Sequence, residues 1–193
     1  GLTEVYGPAS VCAEQPGWDE LSADARAQLK RRQGVSYPLQ EGVTVLDPET
    51  MREVPRDGET IGEVMFRGNI VMKGYLKNAK ATDEAFAGGW FRTGDIGVMD
   101  ARGYTKIVDR KKDMILVSGF NVYPKEIESE IDAMPGVIES AVIGVPHADF
   151  GEGVTAVLVC SKGADVSEAS VLKALDGRIA KFKMPKRVFV VDE

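Results

Sequence analysis

Apolar residues alternate with polar ones in short runs through residues 42–76, a pattern that favours strands over helices. The runs are GVTVLD, GEVMFRG and IVMKGY, at residues 42–47, 62–68 and 70–75. Turn sequences separate them at Asp47-Pro48 and at Arg56-Asp57-Gly58. This part of the sequence therefore predicts a small antiparallel sheet or a distorted barrel.

Residues 90–110 predict a β-hairpin, because two alternating runs flank a turn at Asp100-Ala101-Arg102-Gly103. We expect the first strand to bend at Gly94, directly before Asp95. An aspartate in a turn is unremarkable by itself. However, Arg110 follows in the second strand, and a carboxylate accepts hydrogen bonds from hydroxyls while a guanidinium binds phosphate through a planar fork of donors. The pair therefore suits a sugar-phosphate ligand.

Two helices are predicted in the first half of the chain. Residues 22–33 read as a helix with Ser22 as the N-cap and Gly34 as the stop signal. A shorter helix is predicted from Asn78, as its cap, to Phe86, and Gly88-Gly89 ends it. The first helix carries a basic cluster, for which we favour stabilisation of the helix C-terminus and solvation; its members are Arg26, Lys30, Arg31 and Arg32.

The remaining residues predict a small α+β unit. A buried strand at residues 114–117 leads through a turn at Ser118-Gly119 to a helix that begins with Pro124. An apolar stripe on that helix comprises Ile127, Ile131 and Met134. Two further strands are predicted at residues 138–145 and 153–160, with a loop at 146–151 between them. A second helix is predicted after an Asp165–Glu168 capping box, and its apolar face extends to Ile179. The last predicted strand is at residues 188–192.

Composition excludes several functional classes. The 193 residues are 44% hydrophobic and 28% charged with a net charge of −6, which is ordinary for a globular protein and offers no basic surface for nucleic acid. No apolar run reaches the ~20 residues of a membrane span, and no secretory signal pattern opens the sequence. The two cysteines and His147 have no metal-ligand spacing, and we expect a cytoplasmic protein with free thiols.

Four segments, in the expected order, resemble motifs of the adenylate-forming superfamily, which includes acyl-CoA synthetases, aryl-CoA ligases, luciferases and peptide-synthetase adenylation domains. The segments are GLTE at residues 1–4, WFRTGD at 90–95, DRKKDMI at 109–115 and GFNVYPKEIE at 119–128. The resemblance extends over essentially the whole chain. It implies an α+β fold in which residues 1–111 are the β-rich end of a large AMP-binding domain and residues 112–193 are most of a small mobile domain.

The resemblance also implies roles for individual residues. Asp95, Ile107 and Arg110 would bind the nucleotide, with Asp95 on the ribose hydroxyls and Arg110 on the ribose or the α-phosphate. Thr3 would contact a phosphate, and Glu4 would hold Mg²⁺. Lys112 matches the hinge on which the small domain turns. Ser118 and Gly119 would lie along the pantetheine arm of coenzyme A. A contact between the phosphates of coenzyme A and the basic cluster on the first predicted helix is an alternative interpretation of that cluster.

Two parts of the family pattern have no counterpart in these residues. They are the Ser/Thr/Gly-rich phosphate loop and the P-R-x-x-x-G-K segment that carries the catalytic lysine. Lys181, Lys183 and Lys186 lack the Gly-Lys context. We therefore expect no catalytic residue within the chain, and we interpret it as a fragment of an acid–CoA ligase that does not adenylate an acid alone.

The expected substrates are a carboxylic acid, ATP with Mg²⁺, and coenzyme A. Residues 1–100 resemble medium-chain and methylmercaptopropionyl-CoA ligases, whereas residues 120–137 and 145–159 resemble malonyl-CoA synthetases, so the acid stays open. Two alternatives also stay open: a non-catalytic nucleotide-binding or interaction module, and an adenylation domain that loads a carrier protein. A homo-oligomer is a further open expectation.

Overall fold

The structure is a computed structural model that describes residues 1–191. The chain divides after Lys111 into two compact units, the first beginning at Gly1 and the second at Lys112. We refer to them as unit 1 and unit 2. Both combine sheets with helices, so the predicted α+β class is confirmed.

Unit 1 is built on a four-stranded antiparallel sheet whose strands follow one another in chain order. A two-stranded ribbon, β1 (Ser10–Val11) with β2 (Val35–Ser36), precedes the sheet. The sheet strands are β3 (Gly42–Leu46), β4 (Gly62–Arg67), β5 (Phe91–Met99) and β6 (Thr105–Arg110). The predicted hairpin is present as β5 and β6, and the Gly103 amide donates to the Asp100 carbonyl across its turn.

Residues 70–75 do not form the strand that their alternation predicts. Their amides bond elsewhere: Met72 donates to the Glu4 carbonyl at 2.7 Å, and Tyr75 donates to the Thr82 hydroxyl at 2.9 Å. Val71 and Met72 still pack against the core of unit 1. The apolar residues of this segment are therefore partly buried, but its backbone forms a turn instead of pairing as a strand.

The helices of unit 1 are α1 (Ala23–Lys30) and α2 (Ala79–Ala85), capped as predicted by Ser22 and Asn78. The prediction that α1 continues to Gln33 is wrong, because the amides of Gln33 and Gly34 donate to the Thr105 carbonyl instead. The solvated interpretation of the basic cluster is also wrong for Arg32. Its side chain is 12% exposed, lies 4.0 Å from the centre of the Tyr104 ring, and pairs with Asp100 at 3.1 Å.

Unit 2 is a five-stranded sheet covered by two helices. The elements are β7 (Ile115–Val117), β8 (Phe120–Val122), α3 (Pro124–Asp132), β9 (Val137–His147), β10 (Gly151–Cys160), α4 (Glu168–Leu175) and β11 (Arg187–Val191). Strand β10 is central, antiparallel to β9 and parallel to β11, and its first residue meets β7. The core joins Leu158 and Val154 to Ile127 and Leu175.

Three sequence predictions for unit 2 need correction. Pro146 and His147 belong to β9, because they pair with Glu152 and Gly151 of β10, so the connecting loop is shorter than expected. The capping box of α4 is formed by Ser167 and Ser170 rather than by Asp165 and Glu168. Ile179 is buried but lies beyond the helix. Asp192, predicted as the end of the last strand, lies outside the described residues.

The turn at Asp57 gives a test of the local structure. Its carboxylate accepts hydrogen bonds from the Thr60 hydroxyl at 2.6 Å and from the amides of Thr60 and Glu59. These bonds lower the pKa of Asp57 to about 2. The ionised carboxylate therefore contributes fully to the free energy of unfolding above pH 3.8, and this contribution is lost as the pH falls toward 2. A carboxyl NMR titration should show this pKa, and Thr60→Val should move it upward. An Asp57 that titrates near 3.8 in the wild type would contradict the assignment.

Candidate nucleotide and thiol sites

Asp95 lies in a bulge of β5. Arg92 pairs with Met65 and Ile96 pairs with Glu63, so three residues of β5 stand opposite one residue of β4. Gly94 supports the bulge with a φ of +73°, which favours glycine. The Thr93 hydroxyl donates to the Val64 carbonyl at 2.6 Å and accepts from the Asp95 amide at 3.0 Å. The bulge thus redirects one carboxylate out of the regular alternation of the strand.

Asp95 and Arg110 are direct cross-strand partners. The Arg110 Nε and Asp95 Oδ1 atoms are 3.7 Å apart, and the two side chains are 61% and 15% exposed. Burial raises the pKa of Asp95, and the Arg110 charge opposes that rise. A half-buried carboxylate with an exposed guanidinium beside it presents acceptors and donors to the same ligand.

A pocket lies beside Asp95, and Arg110 is not among the residues that line it. Its lining includes Gly1, Leu2, Ser10, Gln33, Val43, Val64, Phe66, Asp95, Thr105 and Ile107. The structure therefore places two of the predicted nucleotide residues, Asp95 and Ile107, in one cavity. Sequence reasoning missed Gln33, whose Oε1 accepts from the Ile107 amide at 2.6 Å and so fixes that part of the wall.

Thr3 and Glu4 lie in a short 3₁₀-helix, Thr3–Val5, and do not line this pocket. The Glu4 Oε1 accepts from the Tyr75 hydroxyl at 3.2 Å. Burial, together with this hydrogen bond and the charge of Glu4, raises the pKa of Tyr75. Residues 1–191 contain no group of three His, Cys, Asp or Glu side chains able to hold a metal. The single Glu4 carboxylate fits Mg²⁺ that arrives with phosphates, because Mg²⁺ commonly takes only one or two protein carboxylates.

In unit 2, Ser118 and Gly119 form a two-residue turn between β7 and β8. Both have positive φ, at +49° and +85°, as a type I′ hairpin requires. The Ser118 amide donates to the Phe150 carbonyl at 2.8 Å, and the Leu116 amide donates to Glu152 Oε2 at 2.7 Å. The turn is therefore held from β10 and the loop before it.

Two other residues singled out in the sequence have clear positions. Lys112 is exposed in a short 3₁₀-helix, Lys111–Asp113, and it is the first residue of unit 2. His147 has partners that its sequence context did not reveal: its ring lies 4.6 Å from that of Phe150, and its Nδ1 accepts from the Asp149 amide at 3.2 Å. These contacts give His147 a structural role at the end of β9.

The sequence model described as "AMP-binding enzyme" matches residues 1–76, and the one described as "AMP-binding enzyme C-terminal domain" matches residues 126–193. The chain belongs to the adenylate-forming, AMP-binding enzyme superfamily. The two matches fall in different compact units, since the boundary between the units follows Lys111.

Relatives within the AMP-binding enzymes are CoA ligases and a protein solved with ATP. The chain is 44% identical over 185 residues to acetate–CoA ligase CCL3 of Humulus lupulus, covering 96% of this chain and 33% of that protein. It is 40% identical over 193 residues to the peroxisomal trans-cinnamate:CoA ligase of Petunia hybrida, covering 100% and 34%. ATP-bound MatB from Rhodopseudomonas palustris is 56% identical with a TM-score of 0.79, covering 85% and 32%.

This AMP-binding chain spans about one third of the length of the curated relatives it matches. One of these relatives is peroxisomal, so the cytoplasmic location stays a prediction. Among residues 1–191, no helix combines the length and the apolarity needed to span a bilayer.

The sequence predictions also missed a buried residue of unit 1. Glu63 in β4 was read only as a polar position in an alternating strand, yet its side chain is 2% exposed. Its Oε1 accepts from the amide of Gly94, directly before Asp95, at 3.2 Å. The available signal was the unbroken apolar run Val64-Met65-Phe66 beside it, which indicates a strand buried on both faces.

Proposed function

We propose that this chain is part of an ATP-dependent acid–CoA ligase. In this reaction a carboxylate attacks the α-phosphate of Mg·ATP, giving an acyl-adenylate and pyrophosphate. The thiol of coenzyme A then displaces AMP to give the acyl-CoA. The CoA-ligase names of the relatives and the ATP in the related MatB structure support this assignment.

The observation that carries the proposal is the position of Asp95. Its carboxylate borders the same pocket as Ile107 and has Arg110 as its cross-strand partner. A ribose in this pocket would donate its hydroxyls to Asp95, and the adjacent phosphate would accept from the exposed guanidinium of Arg110. A charge-assisted hydrogen bond of this kind is worth about 1.5–3 kcal/mol, so the pair can provide much of the affinity for a nucleotide.

Mg·ATP is the form of the nucleotide that we propose is bound. The Thr3 hydroxyl is exposed and would donate to a phosphate oxygen, while Glu4 offers a carboxylate oxygen to the cation. The hydrogen bond from the Tyr75 hydroxyl orients that carboxylate without adding a second negative charge.

We assign the thiol step to unit 2. The Ser118-Gly119 turn brings backbone without a side chain to the surface, which allows close approach of a narrow pantetheine arm. In this proposal unit 1 is the β-rich end of the large AMP-binding domain and unit 2 is most of the small mobile domain. Lys112 is then the hinge, since a hinge needs only a few residues that absorb a change in φ and ψ.

No catalytic residue is proposed within the chain. The resemblance implies that a lysine in a Gly-Lys context stabilises charge developing at the α-phosphate, and residues 1–193 contain no Gly-Lys pair to which we could assign that role. The chain's own residues bind and orient the nucleotide and the thiol. Positioning of this kind accounts for a large part of the rate acceleration in such reactions, because phosphoryl-type transfer depends mainly on orientation and charge neutralisation.

The test is release of pyrophosphate by the full-length gene product, measured with acetate, a medium-chain acid, trans-cinnamate and malonate. We expect release to require one of the acids, and we expect coenzyme A to convert the adenylate into thioester. Release with neither acid nor thiol would overturn the proposal. Light scattering of the same preparation decides whether the protein is a homo-oligomer.

Gly119→Val should separate the two half-reactions. A Cβ added at Gly119 meets no protein atom within 4 Å, so we expect the substitution to obstruct what passes along the turn rather than the fold around it. We expect thioester formation to fall at least roughly tenfold, while acid-dependent exchange of pyrophosphate into ATP changes less than about twofold.

Gly103→Val is the matched control for that substitution. Gly103 has nearly the same φ, +82°, and an added Cβ there also meets nothing within 4 Å, so the backbone strain of ~1–2 kcal/mol is shared. Equal loss of thioester formation in both variants would show that strain, rather than obstruction at Gly119, is responsible.

A further inference from the structure

Glu63 is a buried carboxylate that contacts both the β5 bulge containing Asp95 and the last residue of unit 1, Lys111. Its side chain is 2% exposed, although burying an unpaired carboxylate is strongly unfavourable. Two cations compensate it: Arg92 Nη1 lies 3.6 Å and Lys111 Nζ lies 3.5 Å from Glu63 Oε2. The other oxygen, Oε1, accepts from the Gly94 amide at 3.2 Å.

The two cations are held very differently. Arg92 is 21% exposed and is fixed from its other side, where it donates to the Pro48 carbonyl at 2.7 Å. Lys111 is 45% exposed and has a flexible side chain, so it is the cation that can leave. The residue that follows it, Lys112, begins unit 2. The charge balance of Glu63 therefore depends on the conformation of the chain at the boundary.

We infer that Glu63 is a positioning residue that couples the bulge bearing Asp95 to the conformation of the chain at Lys111. While Lys111 pairs with Glu63, the carboxylate is compensated and its second oxygen holds the Gly94 amide. When Lys111 moves away, the buried charge is left to Arg92, and the bonds that shape the bulge change with it. This inference rests on the proposed function, because Asp95 in the bulge is the proposed ribose ligand and Lys111 directly precedes the proposed hinge, Lys112.

The coupling follows from the energetics of a buried ion pair. Removing one partner leaves a desolvated charge, which is strongly unfavourable when the pair is fully buried and less so when, as here, one partner is half exposed. Such a cost is met by moving the carboxylate toward other donors. The Gly94 amide already donates to this carboxylate, so a shift of Glu63 acts on the residue preceding Asp95.

The first test reads the structure without any activity. In the full-length protein we would measure hydrogen exchange by mass spectrometry for peptides spanning residues 90–97 after the substitution Lys111→Met. We expect exchange at Gly94 and Asp95 to rise at least fivefold, although Lys111 lies sixteen or more positions from them. Lys111→Arg should restore protection, and Lys80→Met, at an 88% exposed lysine, should have no effect. Unchanged exchange at residues 94–95 in Lys111→Met would overturn the inference.

The second test is a double-mutant cycle on activity. Glu63→Gln keeps the shape but removes the charge, and we expect it to raise the KM for ATP about tenfold in pyrophosphate exchange. Adding Lys111→Met to Glu63→Gln should then have little further effect, because the charge that Lys111 compensates is gone. Fully additive effects would contradict coupling. If Glu63→Gln fails to fold, the exchange measurement on Lys111→Met still decides.

These tests separate the inference from the proposed function. A full-length protein with no acid-dependent exchange of pyrophosphate would overturn the ligase assignment, whereas the response of residues 94–95 to Lys111→Met is read in the same protein regardless of its substrate.

Discussion

Asp95→Ala should abolish most nucleotide-dependent activity of the full-length protein. The substitution removes the acceptors that we propose for two ribose hydroxyls, and a loss of about 2–4 kcal/mol corresponds to roughly 30- to 1000-fold in kcat/KM for ATP. Asp95→Asn, which retains one acceptor and the shape, should lose less. Acid-dependent exchange of pyrophosphate into ATP is the measurement, with Asp83→Asn in the exposed part of α2 as the control.

Stability distinguishes loss of a ligand contact from loss of structure. Because burial raises the pKa of Asp95, its ionised form is less favourable in the folded than in the unfolded state. Its contribution to the free energy of unfolding therefore declines as the pH rises from 3.8 through the raised pKa. At neutral pH we expect Asp95→Asn to unfold at an equal or higher urea concentration than the wild type. An inactive variant that also unfolds much earlier would argue that Asp95 is structural.

Leu158→Ala should have the largest effect on stability. Leu158 lies on the central strand β10 and is fully buried in the core of unit 2. Truncation removes apolar contacts and leaves a cavity, which costs about 2–5 kcal/mol. The change in the free energy of unfolding is measured by urea unfolding, monitored through hydrogen exchange in peptides of unit 2.

The matched control is Ile138→Ala on β9. Ile138 is also an aliphatic strand residue of the same sheet, but it is 56% exposed, and we expect a change within about 0.5 kcal/mol. If both variants were equally destabilised, the assignment of Leu158 to the centre of the core would be wrong.

Local signals in the sequence predicted local structure well. Ser22 and Asn78 cap helices because their side chains supply an acceptor to amides only three residues away. Pro124 opens α3 because its ring fixes φ at a helical value and its missing N–H needs no partner there. Ile127 and Ile131 both face the core, because residues four positions apart lie on the same side of a helix.

Signals failed where a distant partner decides the conformation. Residues 70–75 alternate like a strand, but their amides find the Glu4 carbonyl and the Thr82 hydroxyl, which no local pattern announces. Arg32 reads as a solvated cation, and only the fold brings Tyr104 and Asp100 against it. Propensity is a weak prior in such places, because tertiary contacts override it.

The candidate site divides in the same way. Asp95, Ile107 and Arg110 were predicted because a resemblance marks their positions. The structure adds the pocket that Asp95 and Ile107 line and the cross-strand register of Asp95 with Arg110. Gln33 and Glu63 were missed because each acts on a residue at least thirty positions away in sequence. A side chain whose role is to bond a remote backbone amide leaves no periodicity and no spacing to detect.

The hairpin between β7 and β8 has a consequence for the thiol step that we propose for unit 2. Ser118 and Gly119 already adopt the left-handed conformations that the two strands impose, and β10 and its preceding loop supply hydrogen bonds that fix them. Under that proposal the turn has its shape before coenzyme A arrives, and binding would not require a loop to become ordered first.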